Sequence, residues 1–111
     1  MLKLDLQPYH KYLKFLDKED GRYILDPVRK EYYKVQPEEL VRQSWIQCLI
    51  RNFDIDKSSL GVEKQFRLIR QNRRFDLVLY RKAKAYVLFE FKSFTKAIRD
   101  EAVYQAAQYN I

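Results

Sequence analysis

Residues 74–92 decide how this chain folds. They read Arg74-Phe75-Asp76-Leu77-Val78-Leu79-Tyr80, then the connector Arg81-Lys82-Ala83-Lys84-Ala85, then Tyr86-Val87-Leu88-Phe89-Glu90-Phe91-Lys92. Both arms are rich in aromatic and branched residues, and the middle is short and charged. The segment predicts two antiparallel strands joined by a loop of about five residues. Pairing Tyr80 with Tyr86 sets Val78 against Leu88 and Asp76 against Glu90. Directly opposed residues share a face of the sheet, with Cβ atoms roughly 4.5–5.5 Å apart. Lys92 lies on the same face as Glu90, because side chains alternate with a period of two.

Opposed carboxylates destabilise a sheet unless something lies between them. A divalent cation is one answer, and Mg²⁺ in particular favours one or two carboxylates plus phosphate oxygens. The other answer is a solvent-facing hairpin whose Asp and Glu repel but stay hydrated. These three residues by themselves leave both readings open.

Working outward, Val62 to Arg70 reads as a preceding strand, with Val62, Lys64, Phe66, Leu68 and Arg70 on one face. Gln71-Asn72-Arg73 then turns into the hairpin, giving three consecutive antiparallel strands. Upstream, Pro37 suits a first helical position, and Glu38 and Glu39 complement the helix dipole in the first turn. Leu40, Val41, Trp45, Cys48, Leu49 and Phe53 recur at helical spacing, which predicts a helix from about 37 to 53. Downstream, a second helix is expected over roughly 96 to 109. Ile98, Ala102, Gln105 and Tyr109 share one face of it. A Gln and a Tyr on that face either line a site or represent a partly buried Tyr satisfied by a neighbour.

Nearer the start, Leu2, Leu4 and Leu6 alternate with polar residues, a short strand stopped by Pro8. Asp20-Gly21 signals a turn, and Tyr23-Ile24-Leu25 a short strand before Asp26-Pro27. The stretch from Val28 to Val35 is basic and aromatic.

The 111 residues suit one domain, with 47% hydrophobic and 33% charged residues, so a folded chain is expected rather than a disordered one. Two Gly and three Pro leave little room for long irregular loops. A net charge of +7 suits a phosphate backbone or an anionic membrane. With no long apolar run and no dominant basic amphipathic helix, nucleic acid is the favoured partner. The single Cys48 excludes an internal disulfide and reads as a small core residue. The start lacks a secretory apolar stretch, and together these features predict a cytoplasmic location.

The order helix, three strands, helix, with Asp76 on the second strand and Glu90-Phe91-Lys92 on the third, resembles the PD-(D/E)xK nuclease superfamily, here with Phe75-Asp76 in place of Pro-Asp. More specifically, the chain is similar to the N-terminal domain of type I restriction enzyme R (HsdR) subunits. The phrases that carry this are Asp26-Pro27-Val28-Arg29-Lys30, Pro37-Glu38-Glu39-Leu40-Val41-Arg42-Gln43, Arg74-Phe75-Asp76-Leu77-Val78, Phe89-Glu90-Phe91-Lys92 and Gln105-Ala106-Ala107-Gln108-Tyr109-Asn110. The last matches the QxxxY element of that branch. The resemblance implies a mixed α/β (α+β) fold with a restriction-endonuclease-like core over residues 23–111, after an N-terminal extension over 1–22 with a short strand.

It further implies a Mg²⁺-dependent DNA endonuclease in which Asp76 and Glu90 hold the metal. Glu39 would complete the metal site, and Lys92 would orient the attacking water or steady the phosphate. Gln105 and Tyr109 would line the same pocket, while Arg29, Lys30, Arg73 and Arg74, with Arg67 and Arg70, could track the DNA backbone. Specificity and methylation subunits are implied partners. The family domain normally continues past Tyr109-Asn110 into further core strands. The expectation is therefore a core without its last strand or strands, or one whose open side is covered by the Leu2-Leu4-Leu6 strand or a partner chain. An open hydrophobic edge would invite a homodimer. There is no GxxxxGK[ST] phosphate loop, so an ATP-driven motor is not expected within these residues. The rival class is a nucleic-acid or assembly module that keeps the fold and cuts little.

Overall fold

A computed structural model describes residues 5–67 and 71–91 and the backbone of Tyr109–Asn110. The chain opens with a 3-10 helix, Gln7–Tyr12, with Pro8 in its first turn. Strand structure expected from Leu2 to Leu6 is not formed at Asp5 or Leu6. The proline favours a helical start, and Asp5 Oδ1 accepts the Gln7 N–H at 3.0 Å. Leu6 is instead buried in the core.

Three short strands follow, β1 (Phe15–Lys18), β2 (Gly21–Asp26) and β3 (Glu31–Lys34), antiparallel and in that order. Gly21 takes φ +139°, which a side chain would strain, as the chain turns back from β1. The expected strand at Tyr23–Leu25 is the middle of β2, which spans the expected boundary at residue 22 with both neighbours paired to it.

Helix α1 (Pro37–Asn52) forms where the proline, the first-turn acids and the apolar spacing predict it. Phe53 caps its C-terminal end and is exposed rather than packed. Trp45, Ile46, Cys48 and Leu49 enter the main core with Leu6, Leu60, Val62, Leu77, Phe89 and Phe91. Trp45 and Phe89 meet at a ring separation of 5.1 Å.

The second sheet runs β4 (Leu60–Arg67), β5 (Asn72–Arg81), β6 (Lys84–Phe89) and β7 (Tyr109–Asn110), all antiparallel in that order. The fold is mixed α+β. Val78 pairs with Leu88 in the expected register, but a bulge between Leu79 and Tyr80 pairs Tyr80 with Ala85 rather than Tyr86. The expected five-residue loop shrinks to Lys82-Ala83. Both residues have positive φ (52° and 65°), the conformation that matches the twist of two strands joined by a two-residue turn. At the far edge, Tyr109 pairs with Leu88 in β7, so the expected helix does not extend to residue 109. The rest of that helix, with Ile98, Ala102 and Gln105, lies outside the described residues, as do Leu68–Arg70.

One irregularity positions the site. Phe75 and Leu77 would share a face in a regular strand, yet Leu77 joins the core under α1 while Phe75 joins Val78, Ala85 and Leu88. The alternation breaks at Asp76. The β4–β5 ladder passes from Val62↔Leu77 to Lys64↔Phe75, over Glu63 and Asp76, and Glu63 has φ +55°. A non-glycine residue in that region is strained and persists only where its surroundings hold it. Asp76 thereby leaves the face of Val78 and Leu88, on which the regular period had placed it, and turns toward α1.

Candidate functional site

The site begins at Asp26, the last residue of β2. Its Oδ1 accepts the N–H groups of Val28 (2.7 Å) and Arg29 (2.9 Å), and its carbonyl accepts the Lys30 N–H at 2.7 Å. The Asp-Pro pair thus closes a side-chain-bonded turn and sets Arg29 inward. Arg29 Nε donates to Asp26 Oδ2 at 2.6 Å, and Nη2 donates to both Glu39 oxygens at 2.9 and 2.8 Å. The guanidinium stacks over Tyr33, 3.5 Å from the ring centre. Burial would lower the pKa of Arg29, but its bonds to Asp26 and Glu39 outweigh that and raise it.

Glu39, on the first turn of α1, also accepts from Arg42 Nη1 at 2.7 Å and Gln43 Nε2 at 2.8 Å. Arg42 reaches onward with Nη2 to Asp76 Oδ1 at 3.5 Å and Glu63 Oε2 at 3.9 Å. Arg29 Nη1 lies 3.6 Å from Glu63 Oε1. Charges therefore alternate from β2 through α1 to β4 and β5. Asp26, Glu39, Arg42 and Gln43 are all buried. Buried charges on this scale are tolerable only when paired and hydrogen-bonded; each charge here has a partner, although Arg42 Nε and Gln43 Oε1 are buried without one.

Asp76 ends that chain. Its Oδ2 accepts the Phe91 N–H at 2.7 Å, which fastens the strand to the backbone between Glu90 and Lys92. Its pKa is raised, first by burial and then by the charges of Glu38 and Glu90. The Phe91 N–H and Arg42 pull the other way and do not cancel this. Glu90 is ion-paired with Arg73, each about one-third exposed.

Asp76 feels the charge of Glu90, but the expected direct pairing of the two is not part of the ladder, because β6 ends at Phe89 and not at residue 92. Glu39 is not among the charges acting on Asp76 directly and connects to it through Arg42; Glu38 is the helix acid that Asp76 feels. Arg29 is committed to Asp26 and Glu39. Lys30 is exposed at a turn with φ +61°, and Arg74 is exposed on β5. Lys92, Gln105 and the Tyr109 side chain lie outside the described residues. Among the described residues, no group of three or more His, Cys, Asp or Glu side chains is arranged to hold a metal ion.

Asp26, Glu38, Arg42, Gln43 and Glu63 were not anticipated as site residues. For Arg42 and Gln43 a signal existed, since they follow Glu39 by three and four positions and therefore lie beside it on a helix. For Glu63 none did, because the β4–β5 register that sets it across from Asp76 cannot be read from either strand alone.

Residues 37–111 match the family described as type I restriction enzyme R protein N terminus (HSDR_N). No curated protein matches the chain, and no solved structure matches it.

Proposed function

Since this chain belongs to the type I restriction enzyme R protein N-terminal family, we propose that it is a Mg²⁺-dependent DNA endonuclease domain of the PD-(D/E)xK kind, hydrolysing phosphodiester bonds in the cytoplasm. The observation that supports this most is the attachment of Asp76. It sits at a break in two strands, half-buried and with a raised pKa, and it is hydrogen-bonded to the middle residue of Glu90-Phe91-Lys92. In this reading the bond would join the two separate halves of the motif.

The donor set fits the ion. Asp76 and Glu90 are hard oxygen donors whose charges oppose each other, and Mg²⁺ takes one or two carboxylates and fills its remaining positions with water and phosphate. When bound, Mg²⁺ supplies an acidified water and a sink for charge on the phosphate. Lys92 would add a compact ammonium against a phosphate oxygen. Exposed Lys30 and Arg74 would contact the DNA backbone without reading sequence, and Gln105 and Tyr109 would line the pocket. Glu39 would act by holding Arg42 rather than by holding metal. The specificity and methylation subunits of a restriction system are the partners that follow from the family.

Plasmid cleavage tests this. The chain should nick supercoiled DNA with Mg²⁺, and Asp76→Ala and Lys92→Ala should abolish nicking while DNA binding persists. Nicking that survives Lys92→Ala would place the chemistry elsewhere. DNA binding with no cleavage by the unaltered chain would favour the assembly-module reading.

A further inference from the structure

We infer that Arg42 is the resident counterion of Asp76, holding that carboxylate in the metal-free chain and moving toward Glu63 when a divalent cation takes it. The second half of this inference rests on the metal reading proposed above; the first half does not.

Arg42 is 5% exposed and anchored on one side by the 2.7 Å bond to Glu39, so it cannot withdraw into solvent. Its other terminal nitrogen, Nη2, lies between two carboxylates, 3.5 Å from Asp76 and 3.9 Å from Glu63. Both separations exceed the roughly 2.7–2.9 Å of a charge-assisted hydrogen bond. The guanidinium therefore balances charge at Asp76 without saturating its Oδ1. Glu63 offers the same nitrogen a second partner within a small rotation. Its side chain is 40% exposed, and its strained backbone holds it opposite Asp76. The other oxygen of Asp76 is kept in place by the Phe91 N–H, so a shift of Arg42 leaves the carboxylate oriented. Glu38 and Glu90 both repel the Asp76 carboxylate, and among the described residues Arg42 is the cation that acts against this.

The test uses the full chain and two readouts. In a chelator at pH 7, melting temperatures are measured for the unaltered chain, Asp76→Asn, Arg42→Met and the double variant. Asp76→Asn should raise the melting temperature more in the Arg42→Met background than in the unaltered one, because there it removes an uncompensated charge. Equal shifts would overturn the counterion role without reference to any metal. Mg²⁺ titration followed by melting temperature should then give an affinity roughly tenfold tighter for Arg42→Met, as expected when one like charge is removed from beside the ion. Equal or weaker affinity would overturn the displacement. If Mg²⁺ stabilises neither protein, the displacement falls together with the metal reading, while the melting cycle still decides the counterion role. Arg42→Gln, which keeps a donor for Glu39, replaces Arg42→Met if the latter does not fold.

Discussion

Strands β1–β3 bury Ile24 and Asp26 and little else, whereas β4–β6 bury Leu60, Val62, Phe75, Leu77, Val78, Leu88 and Phe89. β1 is exposed along its whole length. The second sheet is held by apolar burial against α1 and across its own far face. The first sheet is fastened to the same helix by a charged clasp, Asp26–Arg29–Glu39, over the Tyr33 ring. Hydrophobic packing tolerates substitution by residues of similar volume, while an ionic clasp depends on each member. The clasp also continues through Arg42 to Asp76, so the sheet with the weaker core is tied to the site. The family match begins at residue 37, after that sheet has ended.

The contrast can be broken from either side. The largest effect is expected from Leu77→Ala, which removes a fully buried side chain from the main core. It should lower stability by about 2–5 kcal/mol in urea unfolding and weaken both sheets together. Asp26→Ala should cost about 3 kcal/mol, since it leaves Arg29 and two backbone N–H groups without their acceptor. Amide exchange should quicken in β1–β3 far more than in β4–β6. Equal loss of protection in both sheets would mean the clasp is not specific to the first.

A smaller effect of opposite sign is expected at Asp76. Its folded pKa lies above its unfolded value, so the fold favours the protonated form. That contribution is complete below the unfolded pKa and is lost as pH rises through the folded one. In a chelator, Asp76→Asn should therefore match the unaltered chain in acid and exceed it in melting temperature near pH 7. The least effect is expected from Asp17→Asn, because the Asp17–Arg22 pair is solvent-exposed and screened. Its melting temperature should be unchanged.

Much of the second sheet was legible in residues 60–92. Branched and aromatic runs separated by charged turns specify strands, and the Val78–Leu88 pairing follows from symmetry about the connector. Helix α1 was legible from Pro37, its acids and its apolar spacing. The tight turn at Lys82-Ala83 was not, since neither residue usually adopts positive φ. The break at Asp76 was not legible either. It depends on Glu63 in a neighbouring strand and Arg42 in the helix, and local periodicity carries no information about either. Register brought Asp76 near Glu90 but did not give the expected direct pair: the ladder ends at Leu77↔Phe89, and Asp76 is held by the Phe91 N–H instead. What surrounds Asp76 came from side chains far apart in sequence, which only the folded chain brings together.

If Asp76 and Glu90 hold a divalent cation as proposed, calorimetric titration with Mg²⁺ should give saturable binding to the unaltered chain and none to Asp76→Ala, with both proteins folded. Identical heats from the two, or no binding to the unaltered chain, would rule the cation site out.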